Sequence, residues 1–175
     1  MKRIFILILL IVSFSCKAQT IYPLGTYDIV EDNYYVKDIE NHHDDIVGVW
    51  KWEDGDDLFE ITLEEFEAYQ DFLVPTELQD RIFGKYKYIK DGDLVSEVVD
   101  VDTLPDFKLT LIYSSPTSYR VFIRDCVSET GKTGEFILIS ATTATLRLWN
   151  GEGVKVNYGN GLEWALPTDI TLVKQ

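Results

Sequence analysis

The residues able to do chemistry in this 175-residue chain are few and scattered. Cys126-Val127-Ser128-Glu129-Thr130-Gly131-Lys132-Thr133 comes within one residue of the loop that cradles phosphates, with Cys126 standing where that loop needs glycine. The loop also requires a helix after it. Phe136 to Ser140 reads as strand, so a hairpin turn is expected instead. Gly159-Asn160-Gly161 begins a dinucleotide-type glycine pattern and fails at its last position. His42, His43, Asp44 and Asp45 are metal-ligand types, but adjacent histidines on an extended chain point to opposite sides. Zinc takes three or four ligands arriving together, and there is no third histidine. Asp54, Asp56 and Asp57 are hard oxygen ligands without the spacing of a calcium loop. Cys126 paired with His42 or His43 would need a depressed thiol pKa and a positioned base, and the sequence offers neither. Thirty Asp and Glu residues leave no carboxylate pair singled out. The expectation is therefore no enzyme, no cofactor and no metal.

The element that would position anything else is the stretch Asp44 to Leu63. Ile46, Gly48, Trp50 and Trp52 alternate with Val47, Val49, Lys51 and Glu53, and Phe59, Ile61 and Leu63 alternate with Leu58, Glu60 and Thr62. Alternation at period two is strand, and Asp54-Gly55 between two such runs is a hairpin signal. Gly48 lets a neighbour approach the strand closely.

Around this hairpin the chain reads as about nine or ten short strands. Thr20 to Asp45 lacks steady periodicity and reads as a tether and strap over 16–43, ahead of a single barrel domain over 44–175. Leu63, Phe66, Tyr69 and Leu73 recur at helical spacing until Pro75, and Thr76-Glu77-Leu78-Gln79 reads as a capping box. One or two short helical turns are expected there, after a strand ending near Glu64. Beyond them come strands at Ile82–Tyr88, Leu94–Val101, Phe107–Tyr113, Tyr119–Arg124, Glu135–Ser140, Thr145–Trp149, Val154–Tyr158 and Asp169–Lys174, with turn residues between. Glu135 to Ser140 is apolar on both faces, which predicts a doubly covered strand. The fold expected is all-β: an antiparallel up-and-down β-barrel. Its outward faces carry Lys, Thr, Glu and Arg, the reverse of a membrane-spanning barrel.

Gly48-Val49-Trp50 on the first strand resembles the lipocalin and calycin families. In those barrels the tryptophan closes one end and stacks against a basic residue from a late strand, a part that Arg147 or Lys174 would take here. At the start of the chain, Lys2-Arg3, the apolar run Ile4–Val12 and Ser13-Phe14-Ser15-Cys16 form a secretory signal over 1–15. Ser15-Cys16 resembles the bacterial lipobox. That resemblance implies diacylation of Cys16, and Lys17 after it implies the outer membrane of a Gram-negative cell. Taken whole, the chain is similar to the small uncharacterised lipoproteins of Gram-negative envelopes. The similarity lies in Ser15-Cys16-Lys17-Ala18-Gln19-Thr20, Asp44 to Trp50, Gly131-Lys132-Thr133-Gly134 and Ala165 to Gln175.

The formal charge is −14, and losing Lys2 and Arg3 with the signal would make it −16. Such a surface repels phosphate backbones, so nucleic acid is a poor partner, while basic proteins and cations suit it. With Cys16 lipidated, Cys126 has no disulfide partner. A monomer is expected. Aromatics on the inner-face register make Trp50, Trp52, Tyr86 and Tyr113 the candidate lining of a small apolar ligand site, because a barrel of about eight strands either fills its interior or holds one ligand. The expected function is a lipid-anchored, non-catalytic, lipocalin-like binding module. The alternative is an acidic interaction or inhibitor module that meets a basic protein, as small envelope β-barrels that inhibit lysozyme do.

Overall fold

The computed structural model describes residues 19–29, 32–70, 77–101, 108–150 and 162–175. Cys16 and the signal segment lie outside them, as do Leu73, Pro75, the Gly159-Asn160-Gly161 turn and the strand expected at Val154–Tyr158. Among the described residues there are eleven strands and one short 3-10 turn. The strands are β1 (Thr20–Pro23), β2 (Tyr34–Lys37), β3 (Gly48–Asp54), β4 (Asp57–Gln70), β5 (Glu77–Lys90), β6 (Asp93–Val98), β7 (Leu109–Ser115), β8 (Ser118–Arg124), β9 (Gly131–Ser140), β10 (Thr143–Trp149) and β11 (Asp169–Lys174). The turn spans His42–Asp45. The chain is an all-β protein.

Eight of the strands close a ring. β3, β4 and β5 form one antiparallel meander, and β7 to β11 form another. Two narrow seams join the meanders. β5 meets β7 only at Ile82–Gly84 against Leu109–Leu111. β11 meets β3 at Val173 and Lys174 against Lys51 and Trp50. At the first seam glycine is required: a Cβ on Gly84 would lie 2.7 Å from Leu109 Cδ2 and 2.8 Å from Leu63 Cδ2.

The free edge of β5 is shared in succession by β2 at Glu77–Gln79, β7 at Ile82–Gly84 and β6 at Tyr86–Lys90. The β1–β2 and β2–β5 pairings are parallel. They depart from the all-antiparallel order because their strands are joined by long connections rather than hairpins. The segment read as a tether and strap thus contributes two strands to the sheet, and its Tyr35 and Val36 are buried.

Alternation puts one apolar face inward. Trp50, Phe59, Ile61, Leu63, Ile82, Tyr86, Leu111, Tyr119, Val121, Phe136, Leu146 and Leu172 form a continuous core. Trp50, Ile61 and Tyr86 share one rung across β3, β4 and β5, and Trp52, Phe59 and Tyr88 share the next. Burying this much apolar surface is the main stabilising contribution.

Two local expectations are corrected. Among the described residues no helical turn follows Glu64: β4 runs on to Gln70, and β5 opens at Glu77. Glu67 and Ala68 together oppose Asp80, with Ala68 at φ 50°, so a bulge inserts one extra residue. The bulge turns a spacing of two into three and places Phe66 and Tyr69 on the same outer face. Both rings pack edge-on against Phe83, at 5.3 and 5.0 Å. A three-residue repeat of aromatics arose from a bulge, where it read as a helix. The second correction concerns β9, which is not doubly covered: Phe136 points inward, but Ile139 is 63% exposed.

Candidate functional site

The 3-10 turn His42–Asp45 plugs one end of the barrel. His43 and Ile46 enter the core, and Trp50 Nε1 donates to the Ile46 carbonyl at 2.7 Å. Lys174 crosses the same end. Its Nζ lies 5.5 Å over the Trp50 ring and donates to the carbonyls of Asp45 at 2.8 Å and Asp44 at 3.3 Å. Gly48, at φ 128°, leaves room for this stem: a Cβ there would lie 3.2 Å from Lys174 Cε. Lys174 therefore takes the basic position over Trp50. Arg147 instead faces Asp169 at 3.6 Å on the outside.

Beside this plug four acidic or imidazole side chains meet. Asp38 accepts the backbone N–H groups of His42 at 3.0 Å and His43 at 2.7 Å, which nucleates the turn. His43 Nδ1 lies 2.7 Å from Glu65 Oε1 and 3.8 Å from Asp38 Oδ2. Glu65 continues the inward register of Ile61 and Leu63. Asp80 sits opposite the bulge, where it accepts the N–H groups of Ala68 at 2.9 Å and Asp38 at 2.9 Å and the Tyr35 hydroxyl proton. Asp38, His43 and Asp80 are buried. Burial, and then the hydrogen bond to Asp80, push the Tyr35 hydroxyl pKa up. Tyr119, in contact with the His43 ring, donates to the His42 carbonyl at 3.1 Å, and burial pushes its pKa up strongly.

Tyr113 stands at the rim of this end. Its ring stacks on His42 at 5.3 Å and meets Tyr119 edge-on at 5.7 Å. It separates two open clefts. One, of about 270 Å³, is lined by Tyr27, Asp28, Tyr34, Glu77 and Ile112 among others. The second, of about 140 Å³, is lined by Leu24, Asp38, Ile39, Glu40 and His42 among others. Among the described residues no lysine or arginine lines either.

The four residues expected to line an apolar ligand site are dispersed. Trp50 and Tyr86 are buried within the core on one rung; Trp50 meets Phe136 edge-on at 5.1 Å, and Tyr86 packs on Phe59 at 6.0 Å. Trp52 is half-buried one rung further along, beside an outer cleft with Lys51 and Thr171. Tyr113 is at the opposite rim. Side chains occupy the interior at the level of Trp50 and Tyr86.

The far end of the barrel is closed by Asp125, which is fully buried. It accepts the N–H groups of Val127 at 2.9 Å, Ser128 at 3.3 Å and Ala165 at 2.9 Å, and the Ser128 hydroxyl at 2.9 Å. Tyr86 donates to the Arg124 carbonyl at 2.8 Å, and burial pushes its pKa up. Cys126 is exposed there, while His42 and His43 lie at the other end of β8, so thiol and imidazole do not meet. Gly131, Lys132 and Thr133 are strand residues of β9, and Lys132 lies over the Trp164 ring at 5.0 Å. Asp57 Oδ1 accepts the Asp91 N–H at 2.7 Å in the exposed turns.

The cluster of Asp38, Glu65 and Asp80 was missed in the sequence because its members come from three separated segments. The chain matches no curated protein and no solved structure. One family profile spans residues 1–175 in full, and by that match the chain belongs to the family of unknown function DUF6705.

Proposed function

We propose that this protein is a non-catalytic binding module of the bacterial envelope, tethered through a lipid on Cys16, and that it recognises a basic protein at the rim around Tyr113. The observation that carries this reading is the pair of clefts flanking Tyr113. They combine tyrosine rings with Asp28, Glu77, Asp38 and Glu40, and among the described residues no cation lines them. Lysine and arginine side chains suit such surroundings, because their apolar stems pack on rings while their charges meet carboxylates. The net charge of −14 would speed the approach of a basic partner.

The test is binding of an arginine-rich peptide to the full chain at rising salt. Affinity should fall steeply with ionic strength, and Tyr113→Ala should weaken binding by roughly tenfold, as truncating a contact aromatic does. Binding that ignores both salt and Tyr113→Ala sinks the reading. The anchor is tested separately: Cys16→Ala should move the protein from the membrane to the soluble fraction.

A second reading, an apolar ligand held inside a lipocalin-like barrel, is favoured by Gly48, Trp50 and Lys174 standing as the resemblance to calycins implies. Salt-insensitive uptake of an apolar fluorescent probe, lost in Trp52→Ala, would favour it over the first.

A further inference from the structure

We propose that Asp38, His43 and Glu65 form a binding site for a divalent transition-metal ion of the zinc class. One oxygen of each carboxylate and the imidazole Nδ1 lie within 4.8 Å of one another. The set is one nitrogen and two carboxylate oxygens. Zinc accepts such a set with three protein ligands, leaving a fourth position for water.

Three observations support the site. The first is charge. Asp38 and Glu65 face each other across one imidazole, and buried Asp80 sits directly behind Asp38. Among the described residues no lysine or arginine pairs with any of the three carboxylates. Asp38 and Asp80 accept backbone N–H groups and the Tyr35 hydroxyl, but no fixed cation among the described residues offsets their charge, and buried carboxylates are commonly paired with a cation or a metal. The second is rigidity. Asp38 is fixed by the N–H groups of His42 and His43 and by its own N–H on Asp80, so two of the three ligands are held by an outer set of hydrogen bonds. Such support commonly orients metal ligands. The third is access. Asp38 lines the smaller cleft beside Tyr113, which opens to solvent.

The adjustment needed is small and falls on the movable ligand. His43 Nδ1 is already 3.8 Å from Asp38 Oδ2. It is 2.7 Å from Glu65 Oε1, a hydrogen-bond distance that must open to roughly 3.3 Å around a tetrahedral ion. Glu65 is the most exposed of the three, with a quarter of its side chain accessible, and it can retreat towards solvent. On binding, the ring ligates as the neutral tautomer with its proton on Nε2, so the ion takes the place of the Nδ1 proton between imidazole and carboxylate. His42 takes no part: its ring stacks on Tyr113 and its Nε2 lies 3.0 Å from Glu40.

The experiment is a zinc titration of the chelator-treated full chain, followed by calorimetry and by the imidazole nitrogen resonances. The chain has two histidines, so the two sets can be told apart with a His42→Gln variant. The expected result is one ion per chain, a large displacement of the His43 Nδ1 resonance with His42 unmoved, and a higher Tm with zinc than with magnesium. Glu65→Gln should weaken zinc binding by a factor on the order of 100, at least as much as losing an outer-shell partner costs. The exposed Glu40→Gln should leave it unchanged. If a His43→Gln variant fails to fold, the resonances of the natural chain still decide. No displacement of the His43 nitrogen on adding zinc, or equal affinity in Glu65→Gln and the natural chain, overturns the site.

Discussion

The two ends of the barrel handle buried carboxylates in opposite ways. At the far end a single carboxylate, Asp125, is surrounded by donors: three backbone N–H groups and a serine hydroxyl converge on it. It is a closed arrangement, in which the charge serves to fold the turn between β8 and β9. At the His43 end two carboxylates, Asp38 and Glu65, share one imidazole beside an open cleft, with Asp80 bonded to the Asp38 N–H behind them. The same residue type is structural where donors close around a single carboxylate, and poised for a cation where two carboxylates share one imidazole beside an open cleft.

Substitutions can break or sharpen that contrast. Trp50→Ala sets the scale. It removes a fully buried indole and should cost about 3–5 kcal/mol in denaturant unfolding; an unchanged midpoint would mean the ring is no part of the core. Asp125→Ala should come next, at about 3 kcal/mol, because it strands several buried donors at once. Glu65→Gln should differ sharply, staying within about 0.5 kcal/mol in the absence of metal, since the amide oxygen still accepts from His43 and one surplus charge is gone. If Glu65→Gln costs as much as Asp125→Ala, the two ends are equivalent and the contrast fails.

Alkaline titration addresses both ends together. Burial raises the pKa of Tyr119 at one end and Tyr86 at the other. Unfolded tyrosine ionises near about pH 10, so above it the unfolded chain has released protons that the folded chain keeps. This contribution is fully present below about pH 10 and is lost as pH rises further. Tyrosine absorbance should therefore show these two groups ionising only as the protein unfolds. The smallest effect is expected for Lys174→Met, about 1 kcal/mol, from losing the cation over Trp50 and its bonds to two carbonyls.

The framework of the fold was legible because alternation and turn residues are local. Gly48 to Leu63 paired as its pattern required, and the wish for a basic residue over Trp50 was met by Lys174. What misled was also local: Phe66 and Tyr69 have the spacing of a helix, and only the opposing Asp80 reveals that an extra residue has been inserted in a strand. Of the polar cluster only His43 stood out, as a metal-ligand type. Asp38, Glu65 and Asp80 are ordinary members of an acidic chain until the ring closes and brings the end of β2, the 3-10 turn, β4 and β5 to one rim. The parallel pairing of β2 was hidden for the same reason, since its partner lies forty residues on.

The two seams have a consequence for how this barrel breathes. Each meander is stitched along its length, yet the meanders meet through three paired positions on one side and two on the other. Amides that cross these seams, at Ile82–Gly84 and from Gln175 to the Val49 carbonyl, are therefore where exchange with solvent should begin, long before the hairpins themselves come apart. The second seam carries Lys174, so a fluctuation there would lift the lid from Trp50. The barrel would then open as two hinged half-shells, with the plug of His43 riding on one of them.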